Sequence, residues 1–344
     1  MKGKFVFILS FITAFTGVIF AQKPTPTPTP RYDKVIVTDN SYKESFYLPA
    51  KDLPTILQKA DEQTGNYQEQ FKNLLGEERK TFETFDKNGN SKKQTTVESN
   101  FIVYQSAKNE AAVTEYRNVV KVNGKTVGGS EKRATDLFTQ LAKSSSPQQE
   151  LEDIQKESSR YDKNLEISGL TLFQAPILAE YIRPFFDFQL AGQEKIDGND
   201  VYVVRYQQKS KSPYILINNE KGNTDKLYIT FDIDLPGAIT EPNALLNGKL
   251  WIDANTFQVW REQRELTIQP SGLDAPLRVV ENEFEYQKSD LGILTPKKIT
   301  FSYFKVKAKD KGRDISAYLE TKATFEYDKF TKSDVEVKSG EVKN

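Results

Sequence analysis

The sequence predicts an α+β protein, in which helices pack against or across a strongly curved antiparallel sheet or incomplete barrel. Three observations lead there. From Phe185 onward, eight candidate strands follow one another across turn residues, most of them too closely for the crossover of about a dozen residues that parallel neighbours need. Helix-period blocks are confined to the part before Phe185. The aromatic content, Phe 22 and Tyr 16, favours β-structure, and 344 residues suffice for one large or two medium domains with a hydrophobic core.

In chain order, Lys2 and Lys4 precede an apolar run from Phe5 to Phe20 that ends at the small residue Ala21, the layout of a secretory signal peptide over 1–21. Ile19 makes the cleavage box imperfect, so an uncleaved anchor is the alternative. Residues 22–31 contain KPTPTPTPR, which extends as polyproline II and serves as a linker of roughly 25 Å; glycosylated threonines or a membrane-tethered spacer are the other readings. A helix-plus-sheet part is expected over 32–185. Its helix spans about Asp52 to Leu75, with Gly65 a possible break. Strands follow at Glu78–Phe85, Lys92–Val97, Asn100–Gln105 and Thr114–Lys121, with hairpin turns at Asn88-Gly89 and Asn123-Gly124.

Ala134, Leu137, Phe138 and Leu141 mark a buried helical face, Pro147–Tyr161 reads as a polar helix with Leu151 and Ile154 inward, and a third helix is expected over Ala175–Ile182. The antiparallel meander then occupies 186–328. Its strands are Asp187–Lys195, Asp200–Gln208, Lys226–Asp234, Gly248–Asp253, Thr256–Gln269, Leu277–Lys288, Lys297–Lys307 and Asp314–Tyr327. The charged stretch 329–344 should fray.

Composition narrows function by exclusion. Lys+Arg and Asp+Glu are both 48, which leaves no overall field to attract nucleic acid or an anionic membrane. Cysteine is absent, so neither a disulfide nor a lipid-modified cysteine anchor exists, and the mature chain is expected in the periplasm or outside the cell without being a lipoprotein. Histidine is absent, which removes imidazole triads and histidine-ligated zinc. Ser302 and Lys305 match a Ser-x-x-Lys pattern but lie on a strand, where they point to opposite faces. Asp86, Asn88 and Asn90 imitate a calcium loop that fails at Ser91 and Val97. Glu281, Glu283 and Glu285 alternate with Asn282, Phe284 and Tyr286 as the solvated side of a half-buried strand, opposite Arg261 or Lys298. Convergent carboxylates for glycoside hydrolysis have no local signature. No catalytic residue, metal or cofactor is therefore expected.

The most informative segment is GKLWIDANTFQVWREQREL, Gly248–Leu266, read as a hairpin turning at Ala254 and Asn255. That turn pairs Ile252 with Phe257, Leu250 with Val259, Trp251 with Gln258 and Lys249 with Trp260, leaving one aliphatic face and one bearing both tryptophans. Trp251 and Trp260, extended by Tyr202, Tyr206, Tyr228, Tyr303 and Tyr318, are the candidate lining of a concave apolar ligand cleft; the competing reading makes them core beneath helices.

PFFDFQLAGQEKIDGNDVYVVRYQQK and, after an insertion, GKLWIDANTFQVWRE resemble the outer-membrane lipoprotein carrier and sorting superfamily. The upstream segments LLGEERKTFE and AAVTEYRNVVKVNGKTVGGSEKRATDLF are similar to secreted bacterial proteins that join such a region to a further helix and sheet. The resemblance implies an open half-barrel closed by helices, binding an acyl chain, lipid or lipoprotein inside its curve, with no catalytic residue. The insertion at about Ser210–Asn247 could fill or cover that cleft. A structural or cell-surface interaction module with a filled core is the rival, and a carboxylate-based hydrolase the more distant one.

Overall fold

The structure, a computed structural model, describes residues 52–72, 74–106, 108–162, 171–218, 220, 226–237, 239, 243–270, 275–309 and 314–332. The expected signal peptide, the Pro-Thr linker and residues 333–344 lie outside them.

Helix α1 spans Leu53–Phe71, entered through Asp52, whose carboxylate accepts from the Thr55 amide at 2.8 Å, with Pro54 in the first turn. It is one helix: Gly65 stands in open space and interrupts nothing. Strands β1 (Leu74–Phe85), β2 (Ser91–Ser106), β3 (Asn109–Val122) and β4 (Lys125–Thr126) follow. The two short strands expected between Lys92 and Gln105 are one 16-residue strand, because Glu98, Ser99 and Asn100 all pair with β1 rather than turning. Asn123 and Gly124, at φ 49° and 75°, form the two-residue turn that their tolerance of positive φ allows.

Helices α2 (Ser130–Lys143) and α3 (Pro147–Ser158) come next, then β5 (Phe186–Ile196), β6 (Asn199–Gln208), β7 (Ile215–Ile217), β8 (Ile229–Phe231), β9 (Asn243–Asp253), β10 (Val259–Gln269), β11 (Leu277–Lys288), β12 (Leu294–Lys309) and β13 (Asp314–Lys332). β13 continues past Lys329, where fraying was expected. Eleven strands form one antiparallel sheet in the order β4-β3-β2-β1-β13-β12-β11-β10-β9-β6-β5. The last strand is thus central and joins the early hairpins to the later meander. The expected strand Lys226–Asp234 does not enter this sheet. Only Ile229–Phe231 is extended, and it pairs parallel with β7 in a separate two-stranded sheet, which the long insertion makes possible.

A single helix shows how far the sheet curls. Tyr67 of α1 meets Tyr286 of β11 edge-on at 5.9 Å, Phe71 meets Phe101 of β2 at 6.2 Å and Phe330 of β13 at 5.6 Å, and Lys59 sits 5.0 Å over Phe257 beside β10. A helix of this length, about 28 Å, therefore crosses strands from β2 to β10 along the concave face. Beside it runs 171–185, buried from Thr171 through Leu178 and again at Ile182. The α-helix expected over Ala175–Ile182 is instead two 3-10 turns, Pro176–Leu178 and Arg183–Phe185. Pro176 bars Ala175 from the helical region, and Ala175 takes φ 42°. Helices α2 and α3 cover the opposite, outer face of β2 and β3, where Tyr116 packs on Phe138 at 5.2 Å and Leu141 and Ile154 are buried. The fold is an α+β open half-barrel with one helix inside its curve and two outside. No helix among the described residues is long and apolar enough to cross a membrane, which says nothing of strands.

Candidate functional site: the concave face

Strand parity decides which side chains enter the curve. Tyr202, Val204 and Tyr206 on β6 lie opposite Ile252, Leu250 and Gly248 on β9, and all are buried or backbone-lined on the inner side. Tyr206 crosses the bare Cα of Gly248 and donates its hydroxyl to the Gln263 carbonyl at 3.0 Å. Tyr303 of β12 is also inward and buried, and its hydroxyl accepts from the Asp234 amide at 2.5 Å, which ties the insertion to the sheet. Tyr228 is buried next to β8 in that insertion, and Tyr318 is half-buried on β13 with Lys307 4.7 Å over its ring.

The tryptophans are arranged differently from the expectation. Trp251 adjoins Ile252, the partner of Tyr202, and so points to the face opposite Tyr202. Its indole donates to Glu194 at 2.8 Å, and Arg261 stacks 5.5 Å above it. The hairpin register also moves. Asp253 accepts from the Asn255 and Thr256 amides at 2.9 and 2.8 Å, an Asx turn that lengthens the loop to Phe257, where φ is 62°. Pairing resumes with Val259 opposite Ile252, Trp260 bulges out of register, and Arg261 faces Trp251 while Glu262 faces Leu250. Trp260 is buried and donates to Asp253 at 3.0 Å.

Burial opposes ionisation of the Asp253 carboxyl, but the Thr256 amide and the Trp260 indole outweigh it and hold the pKa below the ordinary value. Trp260→Phe keeps an aromatic ring of smaller volume and deletes this donor; it is expected to lower unfolding free energy by at least about 1–2 kcal/mol, read by urea denaturation followed by circular dichroism.

Two buried polar groups on the concave side escaped the sequence reading. At one end, Lys80 of β1 donates to both Asp162 oxygens at 2.8 Å, and Arg117 of β3 donates through Nε to Glu78 at 2.8 Å and through Nη2 to Glu115 at 2.8 Å. Glu115 also accepts from the Thr171 amide at 2.8 Å and hydroxyl at 2.6 Å. Both sides of the 163–170 interval are thereby pinned to the sheet. Farther along, Arg264 of β10 donates to both Glu262 oxygens at 2.6 and 2.7 Å, beneath Tyr206 and Tyr286. The usable signal was parity: Lys80 alternates in phase with Phe82, and Glu262 and Arg264 with Leu266, positions that a half-buried strand reserves for apolar groups.

On the outer face a polar hollow of about 500 Å³ lies over β13, β1, β2 and β3, lined by Glu77, Arg79, Glu98, Asn100, Lys121, Glu326 and Asp328 among others. Of its cations Lys121 pairs with Glu98 at 2.9 Å, and the neighbouring Lys329 pairs with Glu77 at 2.9 Å. Asp86 caps the β1–β2 turn, accepting from the Asn88 and Asn90 amides at 2.8 and 3.0 Å. Glu285 stands opposite both Arg261 and Lys298. Among the described residues no three acidic side chains converge as metal ligands.

A curled antiparallel sheet filled by a helix and a strap, with polar clusters inside the curve, defines an open half-barrel. Its arrangement is similar to three solved structures. One is a DUF1329 family protein from Desulfovibrio piger, at 13% identity and TM-score 0.29 over 83% of this chain and 94% of that one. The second is a domain assigned to outer membrane lipoprotein sorting from Vibrio parahaemolyticus, at 9% and 0.31 over 81% and 92%. The third is a LolA superfamily protein from Nitrosomonas europaea, at 12% and 0.29 over 83% and 96%. These are likenesses of arrangement alone. No family model matches the chain, and no curated protein matches it.

Proposed function

We propose that the chain is a non-enzymatic, exported protein that binds a hydrophobic or acyl-chain ligand, of the lipid or lipoprotein carrier kind, inside the curve of the sheet. The observation that carries this reading is the nature of the filling. Residues 171–182 cover the concave face without joining the sheet ladder, tied to the rest of the fold by a few bonds such as Gln174 to the Val259 carbonyl at 3.0 Å and Tyr67 to the Thr171 carbonyl at 2.6 Å. With no ladder bonds to break, such a segment opens at the cost of its side-chain contacts alone. The residues proposed to line the site are Tyr202, Tyr206 and Tyr303 on the inner side of the sheet, with Tyr228 in the insertion and Trp260 at the hairpin. Trp251, on the outer face, would report from behind the wall.

The competing reading, an interaction module, draws support from the same packing: Ile177, Leu178 and Ile182 are fully buried, as in a permanent core. Native mass spectrometry and lipid extraction of the purified protein, with tryptophan emission followed on adding monoolein or oleate, separate the two. A co-purifying amphiphile or a saturable emission change is expected. No bound species and no response to either lipid would leave the interaction module.

A further inference from the structure

Asn282 of β11 is fully buried on the concave face, and among the described residues neither its amide nitrogen nor its carbonyl oxygen has a hydrogen-bond partner. Its cross-strand neighbours are Arg264 and Phe301. Leaving a whole carboxamide unpaired in a core is costly, since each unsatisfied group carries its own desolvation penalty. An apolar residue at that position would be more stable, so the amide points to something it is there to meet.

Resting on the carrier reading above, we infer that Asn282 is the polar anchor for the ligand's head, and that this head is a neutral acyl ester or amide rather than a free carboxylate. The charge arrangement sets that choice. Arg264 is already matched by Glu262 through two parallel bonds, and its guanidinium lies 4.4 Å from the Phe284 ring. An ionised carboxylate beside Asn282 would be a second anion next to Glu262, with no free cation among the described residues beside it to offset it in a low-dielectric interior. A neutral carbonyl accepts from Nδ2, and an adjoining O–H or N–H donates to Oδ1, so both orphaned atoms are satisfied at once. The acyl chain would then run against Val280 and Phe284, the same-face neighbours along β11.

The test uses the full chain with monoolein and oleate as probes, by titration calorimetry, beside Asn282→Leu, which keeps the number and branching of side-chain heavy atoms and removes the amide. Monoolein is expected to bind wild type about tenfold more tightly than oleate. Asn282→Leu should lose that preference while keeping its affinity for oleate, and its Tm should equal or exceed that of wild type. Equal binding of the two lipids to wild type would overturn the anchor and leave the carrier reading standing, whether or not the variant folds. A Tm lowered alike in Asn282→Leu and in the smaller Asn282→Val would also overturn it, because overpacking would then not explain the loss and the amide would be satisfied by enclosed water. Binding of neither lipid would remove the carrier reading itself.

Discussion

Arg117→Met is expected to cost about 3–5 kcal/mol of unfolding free energy at neutral pH, because it removes the guanidinium that the buried carboxylates of Glu78 and Glu115 share and leaves Glu78 with Lys80 at 4.0 Å. Both carboxylates are essentially inaccessible, and Arg117 is the guanidinium that touches each. The loss should depend on pH in a defined sense. In the wild type, burial opposes ionisation of Glu115, and Arg117 together with the Thr171 donors outweighs it, so the pKa lies below its ordinary value of 4.5. A lowered folded pKa supplies stability that is present above 4.5 and lost as pH falls through the folded pKa. Without Arg117, burial and the Thr171 donors remain at Glu115, its pKa rises, and protonation on acidification relieves the variant. The gap between wild type and Arg117→Met should therefore narrow from pH 7 toward pH 4, measured by urea denaturation across that range. A gap that is constant or widens would show that the pair is not acting through charge. Asp162 runs in the opposite direction: burial raises its pKa despite Lys80, so its own contribution is greatest at low pH and fades as pH rises through the folded pKa.

Gly248→Ala should destabilise by about 3 kcal/mol or more, the upper part of the range for overpacking. A methyl group there would stand 2.0 Å from the Gln263 carbonyl oxygen and 2.3 Å from the Tyr206 hydroxyl, and the first of these belongs to backbone inside a ladder. The position is held open by Tyr206, whose ring lies across the glycine to reach that same carbonyl. Adding Tyr206→Ala to Gly248→Ala removes the ring clash but not the carbonyl clash, so the double variant should gain nothing over Tyr206→Ala alone. Thermal and urea melts of the three variants decide this, and a single variant within about 0.5 kcal/mol of wild type would show that the strands separate there without cost.

The same glycine shows what was legible in the chain. Gly248-Lys249-Leu250-Trp251-Ile252-Asp253 read as a strand leading into a turn, and β9 ends there. The turn itself was misplaced, because the Asp253 carboxylate captures the next two amides and shifts the return strand, so that Trp260 becomes a bulge. A pairing scheme counted from the middle of a turn cannot register a side chain that bonds its own backbone. Asn282, Phe284 and Tyr286 were inward by alternation with Glu281, Glu283 and Glu285, as the structure has them. Trp251 and Tyr202 were placed on one wall by aromatic character, and strand pairing puts them on two.

What the sequence determined by itself is local: the period-two strands, the Asn-Gly turn at 123–124, the helix after Asp52 and the antiparallel habit of the later chain. These follow from side-chain alternation and backbone preference within a few residues. The tertiary structure alone decided that β13 lies beside β1, that 171–185 packs as a strap and not a helix, and that charged residues enter the curve. Those outcomes depend on partners distant in the chain. Lys80 tolerates burial because Asp162 meets it 82 residues later, and Thr171 is pinned by Glu115 56 residues earlier. A buried charge is stable only once its counter-charge has arrived, and no local pattern states which one that will be.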